Sequence, residues 1–491
     1  MPAVLAALAA LVMGTAGALG TPAVAAPAAG ATATVCDQYP TGGANGLPDS
    51  TDFGISQVTI TGCESAAGGW TRLTVRMHSS AVFTGNTANA GAQGQNQLLD
   101  VTVGLPPDYL APPAAGFPSL YLLTGGASSS TGWSDSTLNP AGEPNGGNVF
   151  SLLSAGTSAF DGVAVMPEAG IAGFYTDWQG TTDGGFAPKW ETYHLEQLVP
   201  WIDANFHVKD ARSARSVAGL SMGGYGTLKY AADRPDLFSA VGAFSPGTEL
   251  ATTVSQFQFI PTATDPAAEL SGFMWQAGAA IGPAAVTNPE FTNGSYRVNK
   301  YNGQTLELNQ VTQLLYRLDT LFGSHTVRAN PPATPPSPAW LQAIRTSGEY
   351  GGTVPASGST TYNWPQANPF DLAAAGRYAS YGGKLGLYAG GCTSVALAMT
   401  AGATLPLSQG TTSAPAACAY DVADPSPVNS DAILGAYAAQ FDKVLTAAGV
   451  THRYCYGGGD HSWRYWQNDM TDWLRYVYGP ASAATATCPN A

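Results

Sequence analysis

A serine set between glycines, where a short apolar run meets a helix-forming stretch, is the pattern in this chain best suited to chemistry: Val217-Ala218-Gly219-Leu220-Ser221-Met222-Gly223-Gly224-Tyr225. A serine hydroxyl is a weak nucleophile. It becomes useful when a sharp strand-to-helix turn lifts it off the backbone toward a base, and flanking glycines permit that turn. The spacing alone is weak, because with 59 glycines in 491 residues a Gly-x-Ser-x-Gly arises in roughly every second chain of such composition. The apolar run before it and the helical stretch after it give it weight. A glycine-rich turn with an incidental serine is the competing reading.

A nucleophilic serine needs an imidazole base and an acid that holds the imidazole in one tautomer. In α/β-hydrolases the chain order is serine, acid, histidine, which leaves His325, His452 and His461 downstream of Ser221. His461 follows the strand-like Arg453–Tyr456 on the glycine-rich loop Gly457-Gly458-Gly459-Asp460, where the C-terminal edge of a parallel sheet would present it. His452 opens that strand and belongs at the opposite end, and His325 falls in a stretch without strand and helix alternation. The oxyanion of an acyl-transfer intermediate would be met by the backbone N–H of Met222, the residue after the nucleophile, and by that of Gly126, in the loop after Leu123. Such chemistry calls for no metal and no organic cofactor.

The elements that must position these groups are legible as alternation. Gln57–Thr61, Trp70–Met77, Leu98–Leu105, Ser119–Leu123, Asp161–Met166, the run into Ser221, Ser239–Ser245, Lys384–Ala389 and Arg453–Tyr456 are strand-like. Trp190, Leu195, Leu198, Val199, Trp201 and Ile202 recur at helical spacing, Thr227–Ala232 continues a helix from the elbow until Pro235, and Asp431–Ala448 reads as a further helix. Strands alternating with helices predict an α/β fold, a mostly parallel central sheet covered on both faces. Residues 248–362 break the alternation, carry Pro331-Pro332-Ala333-Thr334-Pro335-Pro336 and helical patches at Val311–Phe322 and Ala339–Ile344, and read as an insertion or cap. Its Phe257, Phe259, Phe273 and Trp275 suit either a lipid-facing surface or ordinary core.

The expected domain plan is a signal peptide at 1–26, a leader at 27–52, an α/β-hydrolase domain at 53–480 with the insertion at 248–362, and a tail at 481–491. The apolar Val4–Leu19 followed by Pro22-Ala23-Val24-Ala25-Ala26 reads as an export signal with a small-residue cleavage site, although no Lys or Arg precedes it. Six cysteines, an even set in a chain read as secreted, predict disulfides, with Cys36–Cys63, Cys392–Cys418 and Cys455–Cys488 as the short-loop pairing among 15 possible. The net charge of −14, from 19 Lys and Arg against 33 Asp and Glu, argues against nucleic acid or an anionic membrane as a partner. Beyond the signal, no run of eighteen apolar residues offers a membrane span.

Five segments carry a resemblance: Leu120-Tyr121-Leu122-Leu123, Phe174-Tyr175-Thr176-Asp177-Trp178, Lys189-Trp190-Glu191-Thr192-Tyr193, Gly219-Leu220-Ser221-Met222 and His461-Ser462-Trp463-x-Tyr465-Trp466. In order and wording they resemble the antigen 85 mycolyltransferases and their relatives in the esterase D-like branch of the α/β-hydrolases, over about Leu98–Gly247 and Lys384–Trp473. The resemblance implies acyl transfer through an acyl-serine, from an acyl lipid or glycolipid to a cell-wall carbohydrate hydroxyl, with Ser221 as nucleophile and His461 as base. It also implies an acid ten residues before a helical phenylalanine, which is Asp431 relative to Phe441, with an Asp where the family has Glu. Asp424 and Asp421 are rival acids, and an N-cap role is the alternative for Asp431. Where the mycobacterial enzymes read Leu-Asp-Gly-Leu-Arg, this chain reads Leu123-Thr124-Gly125-Gly126-Ala127, without the Asp and Arg associated with trehalose. Tyr175, Asp177 and Trp178 are candidate sugar contacts, with structural support as the equal alternative. Plain carboxylester hydrolysis and a non-catalytic cell-wall binding role are the rival functions.

Overall fold

A computed structural model describes residues 34–42, 47–82, 98–248 apart from 127, 157, 171–172 and 179–187, and then 297–301, 304–307, 364–390, 430–457, 461–480 and 487–490. Its centre is a nine-stranded sheet: β1 (Ile55–Ser65), β2 (Thr71–Ser79), β3 (Leu99–Leu105), β4 (Ser119–Leu123), β5 (Val163–Pro167), β6 (Arg215–Leu220), β7 (Ala240–Phe244), β10 (Leu385–Ala389) and β11 (Arg453–Tyr456), with a separate antiparallel hairpin of β8 (Arg297–Tyr301) and β9 (Gln304–Glu307). The spatial order is β1-β2-β3-β5-β4-β6-β7-β10-β11. β1, β2 and β3 pair antiparallel and β3 pairs antiparallel to β5, whereas β5, β4, β6, β7, β10 and β11 run parallel. This is the α/β-hydrolase architecture expected from the alternation. The parallel half has both faces covered, which is why β4, β5, β6 and β7 are buried at every position.

Side chains alternate between the two faces. Tyr121, Leu123, Val217 and Val241 face a layer built by α3 (Trp190–Thr192), α4 (Val199–Asn205), α5 (Met222–Asp233), α6 (Trp364–Ala367), α7 (Pro369–Ala374) and α8 (Ser430–Ala447). Leu120, Leu122, Ala218 and Phe244 face the opposite layer of α2 (Val149–Ser154) and α9 (Trp463–Tyr478). Between α3 and α4, Tyr193–Leu198 is wound as a π-helix. Pro200 stands in the first turn of α4 and has no N–H to give the carbonyl four residues back, so the ladder widens before it.

Two differences from the sequence reading concern ends of elements. β1 is 11 residues long, beyond the expected Gln57–Thr61, because its antiparallel pairing to β2 extends to Ser65 opposite Thr71. Within the stretch read as a leader, α1 (Val35–Gln38) starts at a Thr34–Asp37 capping box, and Tyr39 is buried, with its hydroxyl 2.9 Å from that of Tyr109 and its ring stacked on Phe206. Cys36–Cys63 ties this helix to β1, and Cys455–Cys488 ties β11 to the C-terminal residues. Cys392, Cys418, His325, Asp421, Asp424 and the helical patches at Val311–Phe322 and Ala339–Ile344 lie outside the described residues.

The buried layer beside the elbow carries its own pH dependence. His194, enclosed by Tyr175, Tyr193 and Trp190, has Nδ1 2.6 Å from the Tyr230 hydroxyl and Nε2 2.8 Å from the Glu168 carbonyl. The carbonyl fixes the proton on Nε2, so Nδ1 accepts from Tyr230. Burial then pushes the imidazole down from 6.5 to about 4. Below pH 6.5 the unfolded chain takes up a proton that the native chain refuses, so stability falls as pH drops through 6.5 and levels off below about 4. The loss should total roughly 3 kcal/mol at 1.36 kcal/mol per pH unit, read as a fall in urea midpoint between pH 7 and pH 4. His194→Gln should flatten that part of the curve; an unchanged slope in the variant would remove His194 as its source.

Candidate active site

The loops that leave the C-terminal ends of the parallel strands converge at one edge of the sheet, where open α/β proteins place their chemistry. Ser221 stands there between β6 and α5 with φ 54° and ψ −121°. A non-glycine residue in that region costs about 1–3 kcal/mol and persists only when its surroundings enforce it. The enforcement is local. Ser221 N–H donates to Phe244 O at 2.8 Å, and its carbonyl receives the Tyr225 N–H at 2.9 Å to start α5. Gly223 is required by close approach, since a Cβ there would lie 2.6 Å from the carbonyl carbon of Leu123 at the end of β4.

Across 240 residues of sequence, His461 Nε2 lies 2.9 Å from Ser221 Oγ. His461 sits between the end of β11 and Trp463, the first residue of α9. Trp466, one turn into that helix, stands perpendicular to the imidazole with ring centroids 4.7 Å apart. Its own indole is fixed by an Nε1–H donation of 3.0 Å to Ser245 Oγ and by Trp463, which in turn packs edge-on against Trp133. The sequence reading named Trp466 within the motif that begins at His461 but gave it no role at the site. Its place one turn into the helix that begins two residues after His461 is the signal that could have found it.

Two backbone segments adjoin Ser221 on its other side. Met222 is the first residue of α5, where an N–H has no acceptor within the helix. The loop after β4 comes up against Ser221: a Cβ at Gly125 would lie 3.4 Å from Ser221 Cβ, and Gly126 follows, half-buried. That loop is braced from both sides. Trp133 Nε1–H donates to Leu123 O at 2.9 Å, and the Tyr175 hydroxyl donates to Thr124 O at 2.8 Å.

Tyr175, Asp177 and Trp178 face into the protein. Tyr175 is buried against His194 and Tyr230, and Trp178, also buried, donates from Nε1 to Gly173 O at 3.2 Å. Asp177 caps the start of the α3 segment, accepting from Thr192 N–H at 2.9 Å and Thr192 Oγ1 at 2.6 Å. These bonds shape the loop beneath the site.

Asp431 is the second residue of α8. One turn further, Gly435 packs on the ends of β10 and β11; a Cβ there would lie 2.8 Å from Tyr456 Cε2. Phe441, ten residues after Asp431, is fully buried against Phe370 and Tyr378. His452 stands at the N-terminal end of β11, occupied by Val450 O at 2.8 Å and Asp442 Oδ1 at 2.9 Å.

The family model for putative esterases matches residues 93–307, which spans β3 to β7 and runs past Gly247 into the segment read as an insertion; His461 lies outside it. A Mycobacterium tuberculosis protein named as an esterase is 33% identical over 201 residues, which are 41% of this chain and 40% of that protein. The diacylglycerol acyltransferase/mycolyltransferase Ag85B of Mycobacterium leprae is 34% identical over 166 residues, 29% of this chain and 45% of that protein. The chain thus spans less than half the length of these relatives. Among solved structures, MPT51 of Mycobacterium tuberculosis aligns with 16% identity and a TM-score of 0.37 over 79% of this chain and 95% of that one, and an S-formylglutathione hydrolase from Agrobacterium tumefaciens with 14% and 0.40 over 85% and 98%. The match to the putative esterase model thus takes in the region from β3 to β7 that contains Ser221, and over 166 residues the chain is similar to an antigen 85 mycolyltransferase.

Proposed function

We propose that the protein cleaves acyl esters through an acyl-Ser221 intermediate, with His461 as general base and then general acid, Asp431 as the residue that orients it, and the N–H groups of Met222 and Gly126 as oxyanion donors. The observation that carries this reading is the 2.9 Å approach of His461 Nε2 to Ser221 Oγ, within the range a proton transfer requires. Ser221 Oγ attacks the acyl carbonyl carbon while its proton passes to Nε2, and the carbonyl oxygen becomes the oxyanion. Collapse breaks the bond to the leaving alcohol, which takes the proton from His461. A second hydroxyl repeats the sequence in reverse and releases the acyl group from Ser221.

The second hydroxyl belongs to water or to a sugar. Sequence similarity to the mycolyltransferases favours transfer of a fatty, mycoloyl-like acyl group to a carbohydrate. Thr124 favours hydrolysis: it stands where the family carries its trehalose-associated Asp, it is buried, and it is engaged by Tyr175. Product analysis with an acyl donor, with and without trehalose, separates them: an acylated sugar supports transfer, and free acid alone in both samples sinks it. Export through the 1–26 segment is part of the proposal, supported by the Cys36–Cys63 and Cys455–Cys488 disulfides, which persist in oxidising compartments.

Asp431→Asn should lower kcat by about ten-thousand-fold, because a neutral amide can hold the imidazole in the wrong tautomer. Asp424→Asn and Asp421→Asn should change it little. If Asp424→Asn proves the crippling substitution, the acid lies in the loop before α8 and the ten-residue spacing to Phe441 is coincidence.

A further inference from the structure

We propose that the C-terminal residues around Cys488 and Asn490 form a latch that positions His461, an inference that rests on the reading of His461 as the base. His461 stands between two anchors, the end of β11 behind it and the start of α9 ahead of it. The same few tail residues grip both. Behind it, Cys488 is disulfide-bonded to Cys455 of β11. The backbone of Asn490 also lies against Gly457, where a Cβ would stand 2.7 Å from the Asn490 carbonyl carbon. Ahead of it, Asn490 Nδ2 donates to Asp469 Oδ1 at 3.1 Å and to Tyr465 O at 3.4 Å, and Asn468 Nδ2 donates to Asn490 Oδ1 at 2.7 Å. Tyr465, Asn468 and Asp469 all lie in the first two turns of α9.

The tail therefore closes a bracket around the segment that carries the base. Gly457 accepts the contact because it has no side chain; any other residue there would push Asn490 away. Asn490 itself adopts φ 58°, a left-handed conformation that asparagine tolerates better than most residues. A hydroxyl-to-imidazole approach must hold to within a few tenths of an ångström to transfer a proton efficiently, and a displacement of about 1 Å costs as much as a hundredfold in rate. Asn490 is thus a positioning residue, and the Cys455–Cys488 bond keeps it in place.

The experiment compares Asn490→Ala and the pair Cys455→Ser/Cys488→Ser with Cys36→Ser/Cys63→Ser, which removes the other described disulfide far from His461. All are made in the full chain and assayed below their melting temperatures with folding checked by circular dichroism. The latch predicts a kcat about tenfold lower or more for Cys455→Ser/Cys488→Ser and about fivefold lower for Asn490→Ala, with KM within about twofold of wild type and fluorophosphonate labelling slowed in parallel. The Cys36→Ser/Cys63→Ser protein should lose melting temperature but keep its kcat. Wild-type kcat in the folded tail variants overturns the latch, and so does an equal loss in the Cys36→Ser/Cys63→Ser control. His461→Ala in the same assay separates the two readings: if it is inactive while the tail variants are normal, the latch alone falls, whereas full turnover in His461→Ala removes the base assignment itself.

Discussion

Ser221→Ala should abolish covalent labelling by a fluorophosphonate probe and lower kcat for a simple acyl ester by about a million-fold. The probe reacts only with an activated hydroxyl, and the activation proposed for Ser221 rests on its geometry. The Ser221 backbone is held at φ 54° by Phe244 O on one side and by the packing of Gly223 against Leu123 on the other. Alanine keeps the backbone and removes only the oxygen, so the melting temperature should move little. It could even rise, because strained elbow residues are selected for function at some cost in stability. Persisting labelling would place the nucleophile elsewhere.

His461→Ala should approach the same loss, because a nucleophile and its base act as a unit and removing either costs about as much as removing both. The decisive measurement is the double variant. Ser221→Ala/His461→Ala should be no less active than Ser221→Ala alone, the residual rate coming from the oxyanion donors and binding. A double variant slower than either single by a further factor of a hundred or more would mean that the two side chains serve separate steps. His461→Ala also leaves a gap beside Trp466, which packs on the imidazole at 4.7 Å, so a modest drop in melting temperature should accompany it.

Much of this was legible in the sequence where a pattern depends on neighbours along the chain. The strand before Ser221 and the helix after it are local, and so is the alternation that predicts a parallel sheet; β4, β5, β6, β7, β10 and β11 lie where the apolar runs put them. His461 could be chosen over His452 because strand direction separates the two ends of β11. What escaped depends on long-range contacts. The burial of Tyr39 needs Tyr109 and Phe206, the bracing of Thr124 needs Tyr175, and the contact of Trp466 with His461 is set by Ser245 at the end of β7. Tyr175, Asp177 and Trp178 illustrate the limit well: their residue types suit a sugar, but only the fold shows each hydrogen-bonding group aimed at Thr124, Thr192 and Gly173.

β7 and β10 are direct neighbours, paired from Leu385 opposite Val241 to Tyr388 opposite Phe244, although the chain travels from Phe244 to Leu385 between them. Closing a longer excursion costs little more than closing a short one, since the entropy grows only as the logarithm of length. The sheet register is therefore indifferent to what the intervening chain contains. That makes the segment a natural cassette for evolution and for engineering. It departs from β7 just after Phe244, whose carbonyl accepts the Ser221 N–H, so exchanging it between relatives should leave the strand pairing and the backbone around Ser221 intact.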